Sequence, residues 1–495
     1  MRFARLPFCR DNSPFKLSGL HEFMRHTPYR IVVVGGGLSG LSAAFRIRQQ
    51  IPAASIVVLE KRERPGGNIQ TVERDGFRVE CGPNGFLDAK PFTLDLCRDL
   101  GLGDRLIAGS EGARKNRYLF RNGRLQALPG SLLSFIASPV LSIRGKLNLL
   151  AEKYRRRPAD VPLDESVAEF ARRRAGKEVA AVFADALVTG IHAGDPELLS
   201  VAAAFPRLTQ FEREYGSVTR GVTAASRKKK ADAKARGEQY RPQQMWSFRE
   251  GLQVLVEGLK ASLGPALVTG VGVSRIEQAP DGRWLVCGDG RDSWRADAIV
   301  LTTPADEQAA TIAELDTDLA AEMAAIPYNR VAVVALGFRQ TDVPRRGLNG
   351  FGYIAPQNTR RDVLGVQWCS SIFPGRAPEG MVLWRALCGG GNRADVFDWD
   401  DARLIAAVRS ELILAMGVSA QPAFVHIVRW PRAIPQYNVG HLARVARIEA
   451  RVAEFPGLFV GGNAYRGVAL NDCTEQAGRL ADEVAGYFSR DFGPP

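Results

Sequence analysis

The chain has 495 residues, 45% apolar and 24% charged, which are ordinary globular proportions that exclude collagen-like and disordered classes. Its 66 Lys and Arg outnumber 53 Asp and Glu, a formal charge of +13 that points to an anionic partner: nucleic acid, acidic lipid headgroups or a polycarboxylate. The seven cysteines form no C-x-x-C pair and the five histidines are scattered, so neither a disulfide framework nor a metal site is legible.

Residues Met1 to Thr27 carry Arg2, Arg5 and Arg10 but no secretory apolar core. Residues 1–28 are expected as a disordered tail, with Met24 as an alternative start. The first strand is Tyr29 to Val34 (YRIVVV), an apolar, β-branched run of the kind buried in parallel sheets. It runs into Gly35-Gly36-Gly37-Leu38-Ser39-Gly40, a G-x-G-x-x-G with glycines at 35, 37 and 40. Leu38, Leu41, Ala44, Phe45 and Ile47 then follow at helical spacing. A second strand, Ser55 to Leu59, ends at Glu60.

Strand, glycine turn, helix, strand and acid in this order are the dinucleotide fingerprint. Gly35 permits the tight turn, Gly37 lets a pyrophosphate approach the backbone, and Gly40 lets the helix pack on the sheet. The helix N-terminus faces the phosphates. Glu60 accepts from a ribose diol, which argues against a 2′-phosphate. A further pair, Gly66-Gly67, is not required for NAD and suits a longer ligand such as FAD.

Residues 92–210 carry mostly helical patterns, with basic runs at Arg155–Arg157 and Arg172–Arg174. Leu132 to Ile143 (LLSFIASPVLSI) is shorter than the ~18 residues of a membrane span and holds Pro139, so it allows a monotopic contact only. Arg220 to Arg241 carries eight Lys or Arg and two acids; residues 211–244 are read as a basic insertion loop, whether solvated, lipid-facing or a partner tail. Gly251 to Leu263 reads as an amphipathic helix, and Trp284 to Gly288 and Ala298 to Thr303 as strands. Val331 to Phe338 and Met381 to Leu387 are strand-like within 306–424. Pro456 to Asn463 reads as a strand ending in glycines. Asn471-Asp472 signals an N-cap for a last helix with Cys473, Ala477, Leu480, Val484 and Phe488 on one face. Neither a helix-turn-helix nor a finger appears, so nucleic acid is not expected as the partner.

The stretch VLEKRERPGGNIQT resembles the flavin amine oxidase and phytoene desaturase superfamily. CGPNGFLDAKPFTLDLCRDLGL (81–102), ARKNRYLFRNGRLQALP (113–129), LVTGIHAGDPELLSVAAAFPRL (187–208), GFGYIAP (350–356), IPQYNVGH (434–441) and GNAYRGVALNDC (462–473) narrow the resemblance. They are similar to the oxygen-dependent protoporphyrinogen oxidases and their coproporphyrinogen-oxidising bacterial branch. The resemblance implies an α/β plus α architecture. A Rossmann-type, amine-oxidase-like FAD domain would come from 29–91, 245–305 and 425–490. A mixed-sheet substrate domain would span 306–424, and a helical, membrane-facing domain 92–210.

It further implies FAD on Gly35, Gly36, Gly37, Leu38, Ser39, Gly40, Glu60, Lys61, Gly66 and Gly67. Gly82, Pro83, Asn84 and Gly85 would lie near the isoalloxazine ring, Val273 near the adenine, and Trp430, Val468, Ala469 and Leu470 over the flavin. Arg117 would pair with a substrate propionate, and Phe351 and Ile354 would line the macrocycle pocket. Animal members carry arginine where Asn84 stands.

The implied reaction removes six electrons from a porphyrinogen in three two-electron flavin cycles, with dioxygen as acceptor and hydrogen peroxide as product. Aromatisation drives it, so no catalytic side-chain acid or base and no metal are assigned. His192 is read as part of a packing turn, and Cys81 and Cys473 as packing residues. The implied location is cytoplasmic, with peripheral contact at the inner membrane face, and a homodimer stays open. An amine oxidase or carotenoid desaturase on the same fold, or a non-catalytic flavin scaffold, are the alternatives.

Overall fold

The computed structural model describes residues 29–130, 132–157, 162–359, 361–391 and 393–491; the expected tail and Met24 lie outside them. A five-stranded parallel sheet forms one side, in the order Leu267–Thr269, Ala54–Glu60, Tyr29–Val34, Ala298–Leu301, Leu458–Val460. Its strands come from three separated stretches of chain. Side chains of Tyr29–Val34 alternate between two cores. Ile31 and Val33 face the helices Leu38–Gln50 and Leu470–Asp491, through Leu41, Phe45, Leu480 and Val484. Val32 and Val34 face Trp284 and Trp294 of a small antiparallel sheet. A fully buried side chain of this kind contributes about 1.5–3 kcal/mol, so burial on both faces, more than β-propensity, fixes this strand at the centre.

The last helix begins at Leu470, one residue before the expected cap. Asp472 takes the capping role by accepting from the Ala469 N–H at 3.2 Å. Asn471 instead reaches out of the helix: its Oδ1 accepts from the Thr93 N–H, and its Nδ2 donates to the Leu87 carbonyl.

A seven-stranded mixed sheet forms the second body. Its order is Phe424–Pro435, Tyr328–Arg339, Met381–Gly389, Val363–Gln367, Gly352–Ile354, Arg117–Arg121, Arg124–Ala127. Three of these strands fall outside the 306–424 range expected for the substrate sheet, Phe424–Pro435 by all but its first residue. Phe424–Pro435, expected with the FAD segments, pairs antiparallel along Tyr328–Arg339. The hairpin 117–127, expected in the helical part, closes the other edge. Its turn, Asn122 and Gly123, has positive φ at both residues (54° and 73°), the geometry Asn-Gly supplies in two-residue hairpins.

The basic insertion differs from expectation. Most of it is helix, Val218–Ala235, following Pro206–Tyr215 across a left-handed Gly216. Its Ala, Lys and Arg content, which looks like a polar loop, is also strong helix-forming composition. The N-terminus is pinned by Glu152, whose carboxylate accepts from Ser217 Oγ at 2.7 Å and from the Val218 and Thr219 N–H groups at 3.0 Å. Burial by itself would raise this carboxyl. The donors from Ser217, Thr219 and Arg174 outweigh burial and hold it at about 2, so it stays ionised under the helix N-terminus. Among the described residues no helix is long and apolar enough to cross a membrane. The six cysteines other than Cys9 are free.

Candidate functional site: a dinucleotide cradle joined to an apolar cleft

The glycine fingerprint sits at the C-terminal edge of the parallel sheet, where strand order reverses around Tyr29–Val34. Gly35 has φ 107°, open to glycine, and its N–H bonds the Leu59 carbonyl at 2.8 Å. Gly36 donates to Glu60 Oε2 at 2.7 Å, and the Arg62 N–H bonds Oε1 at 2.9 Å. The Gly66 N–H bonds the Gly36 carbonyl at 2.7 Å, and Gly37 and Gly66 form a parallel bridge. The two glycine segments thus lie side by side. Gly37 caps the helix Leu38–Gln50 with extended backbone and no side-chain cap, and a Cβ there would meet nothing within 4 Å. Open space before uncapped helical N–H groups fits a pyrophosphate.

Leu38 and Ser39 are buried in the first helical turn, and Lys61 is exposed just past Glu60. Val273 opens its strand close to the same acid, because the Val271 N–H bonds the Glu60 carbonyl at 3.0 Å. Two contributors were not legible. Arg64 holds the Gly66-Gly67 turn by donating to the Gly67 carbonyl at 2.8 Å and the Ile69 carbonyl at 2.7 Å. Thr303 lies against Gly35, and its buried hydroxyl has no partner among the described residues. A basic residue before a Gly pair and a Thr-Thr-Pro strand end were the available signals.

Gly82 packs on the Asn68 carbonyl, just beyond Gly67, so Gly82, Pro83, Asn84 and Gly85 continue the cradle toward the mixed sheet. Trp430, on Phe424–Pro435, donates from Nε1 to the Cys81 carbonyl at 2.7 Å. Asn84 is 4% exposed, and among the described residues neither end of its amide has a partner. Buried amides are rarely left so, and this one fits a polar ligand edge. Val468 packs on the cluster of Val188, Leu199 and Tyr437, while Leu470 packs on the core beside Leu38 and Cys473; Ala469 between them is exposed.

The pocket residues lie on adjoining strands: Arg117 registers with Gly352, and Ile354 with Leu119. The Arg117 guanidinium lies over the Phe351 ring, 4.9 Å from its centroid. Facing them, the helix Asp185–His192 presents Leu187, Gly190 and Ile191 at i, i+3, i+4; all three are exposed. A Cβ on Gly190 would come within 2.7 Å of Ile354 Cδ1, so the glycine sets the width of this cleft. His192 ends that helix, and its carbonyl accepts from Asn329 and Gln436, both at 3.0 Å. Burial pushes its imidazole down to about 4, and pushes the Cys81 thiol up to about 11, so both are neutral near pH 7. That fits packing rather than proton transfer.

The profile of the flavin containing amine oxidoreductases matches residues 38–485. The chain belongs to that family, on its porphyrinogen oxidase branch. It is 33% identical to the chloroplastic protoporphyrinogen oxidase of Nicotiana tabacum, over 93% of this chain and 86% of that one. It is 29% identical to coproporphyrinogen III oxidase of Bacillus subtilis (strain 168), over 92% and 98%. A solved structure from Exiguobacterium sp. 255-15, provisionally assigned as a protoporphyrinogen oxidase, superposes with a TM-score of 0.78 at 25% identity, over 93% and 99%. The cofactor of this family member is FAD.

Proposed function

We propose that this chain oxidises a porphyrinogen to the porphyrin within haem biosynthesis, with FAD as cofactor and dioxygen as acceptor. The observation that carries this reading is an arginine, Arg117, set over Phe351 at the rim of an apolar cleft that adjoins the dinucleotide cradle. FAD supplies two-electron oxidation, with the electrons passed to dioxygen as hydrogen peroxide. The cradle of Gly35 to Gly40, Glu60, Gly66-Gly67 and Val273 holds its dinucleotide, while Gly82–Gly85, Trp430 and Val468–Leu470 border its ring. Arg117 pairs with a propionate, and Phe351 and Ile354 with Leu187 and Ile191 enclose the macrocycle and exclude water.

Purified enzyme given protoporphyrinogen IX and coproporphyrinogen III separately will form porphyrin fluorescence and peroxide faster than autoxidation with at least one. No acceleration with either overturns the reading. The ratio of kcat/KM for the two identifies the substrate.

We also place the protein in the cytoplasm, in peripheral contact with the inner membrane face. Helices Leu132–Ala137 and Ile143–Leu150 support this, leaving Leu133 81%, Ile136 57%, Ile143 78% and Leu147 61% exposed. Ile143→Asp with Leu147→Asp will lower co-sedimentation with acidic phospholipid vesicles while porphyrinogen turnover in free solution stays unchanged. Equal sedimentation of parent and variant refutes the contact.

A further inference from the structure

Arg385 lies on the strand Met381–Gly389, in register with Ala335 on one side and Gln367 on the other, and is 2% exposed. One terminal nitrogen donates to the Glu80 carbonyl and, at 2.7 Å, to the Gly82 carbonyl. The other donates to Gln367 Oε1 at 2.6 Å, and Nε is buried with no partner among the described residues. Among the described residues Arg385 forms no ion pair. The neighbouring carboxylate of Glu80 is already taken by Arg376 at 3.2 Å, Thr71 Oγ1 at 2.9 Å and the Leu252 N–H at 2.8 Å. Two buried guanidinium groups therefore lie near one buried carboxylate, and only Arg376 is paired with it. An uncompensated charge in a protein interior is costly and acts strongly on whatever charge develops beside it.

What lies beside it is the junction of the site. Gly82 leads to Asn84, whose buried amide is unpartnered among the described residues, and Gly82 itself packs on Asn68 at the end of the dinucleotide cradle. Gln367 pairs with Gly352, next to Phe351 in the cleft. We propose that Arg385 is a positioning residue that holds the Cys81–Gly85 segment at the flavin ring, and that its unpaired positive charge raises the reduction potential of bound FAD. Reduction adds electrons to the ring, and a fixed cation favours the electron-rich state. The inference rests on FAD binding and not on the porphyrinogen substrate.

The test uses the FAD-loaded enzyme with Arg385→Gln and Arg385→Lys, and reads the midpoint potential by dye equilibration with no porphyrinogen present. Its failure is thereby separate from failure of the proposed substrate. The Gln variant is expected to lower the reduction equilibrium constant about tenfold, which is about 30 mV for a two-electron couple. The Lys variant keeps the charge and stays near the parent potential. Both lose the planar fork, so both bind FAD more weakly by fluorescence titration. Equal potentials for Gln, Lys and parent overturn the inference. Should Gln fail to retain FAD, Arg385→Met, which also removes the charge, is read in its place: a potential about 30 mV below the parent supports the role of the charge, and a parental potential overturns it.

Discussion

Gly40→Ala yields a chain that purifies without flavin colour and melts at lower temperature. A Cβ at residue 40 would sit 2.0 Å from the Gly35 carbonyl oxygen and 2.5 Å from Thr302 Oγ1. The Gly35 oxygen is main chain, in the turn that shapes the cradle, and Thr302 Oγ1 is tied to the Val34 and Gly35 carbonyls at 3.0 and 3.2 Å. Neither neighbour can yield cheaply, so the helix must move off the sheet. Overpacking costs about 1–3 kcal/mol even where neighbours relax. If that cost falls on the FAD-bound shape, affinity drops by about 5- to 150-fold. Gly37→Ala is the control: its Cβ enters open space, so the fold survives and only the ligand's room is lost. Flavin content by absorbance, with melting by circular dichroism, reads both. A Gly40→Ala protein with a full complement of FAD and an unchanged Tm would refute the close-approach argument.

Arg117→Ala raises KM for the porphyrinogen about tenfold while FAD stays bound. A hydrogen bond to a charged group contributes about 1.5–3 kcal/mol, and the lower end applies because Arg117 as a residue is exposed, although its guanidinium is partly covered by Phe351. One kilocalorie and a half is about tenfold in binding. The side chain has little else to lose: besides lying over the Phe351 ring, it makes one long donation from Nε to the Ala113 carbonyl at 3.4 Å. Folding is therefore unaffected, and kcat changes far less than KM because the arginine orients a carboxylate remote from the carbon being oxidised. Steady-state kinetics with both porphyrinogens checks this. Unchanged KM and kcat would remove Arg117 from the substrate site.

The cradle was legible because its requirements are local. Gly35, Gly37, Gly40 and Glu60 lie within one strand–helix–strand unit, where each spacing answers to a single steric or hydrogen-bonding need. The turn at Asn122-Gly123 was equally local, yet its hairpin was assigned to the helical part. A turn fixes how two strands meet each other and leaves open which sheet they join. Phe424–Pro435 shows the same: its residues were assigned with the FAD segments, and only pairing along Tyr328–Arg339 places Trp430 against Cys81. The basic stretch after Gly216 failed differently, since charge pattern resembles that of a solvated loop while residue propensities favour helix.

By itself the sequence determined the strand–glycine turn–helix–strand unit that ends in Glu60, and the family. Tertiary structure alone decided that Arg64 grips the second glycine turn and that Gly190 sets the width opposite Ile354. It also decided that Arg385 bridges the Glu80–Gly82 segment and Gln367 with no counter-ion among the described residues. The reason is distance along the chain: Arg385 meets the Gly82 carbonyl across 303 residues, and no local spacing or periodicity encodes a contact of that separation.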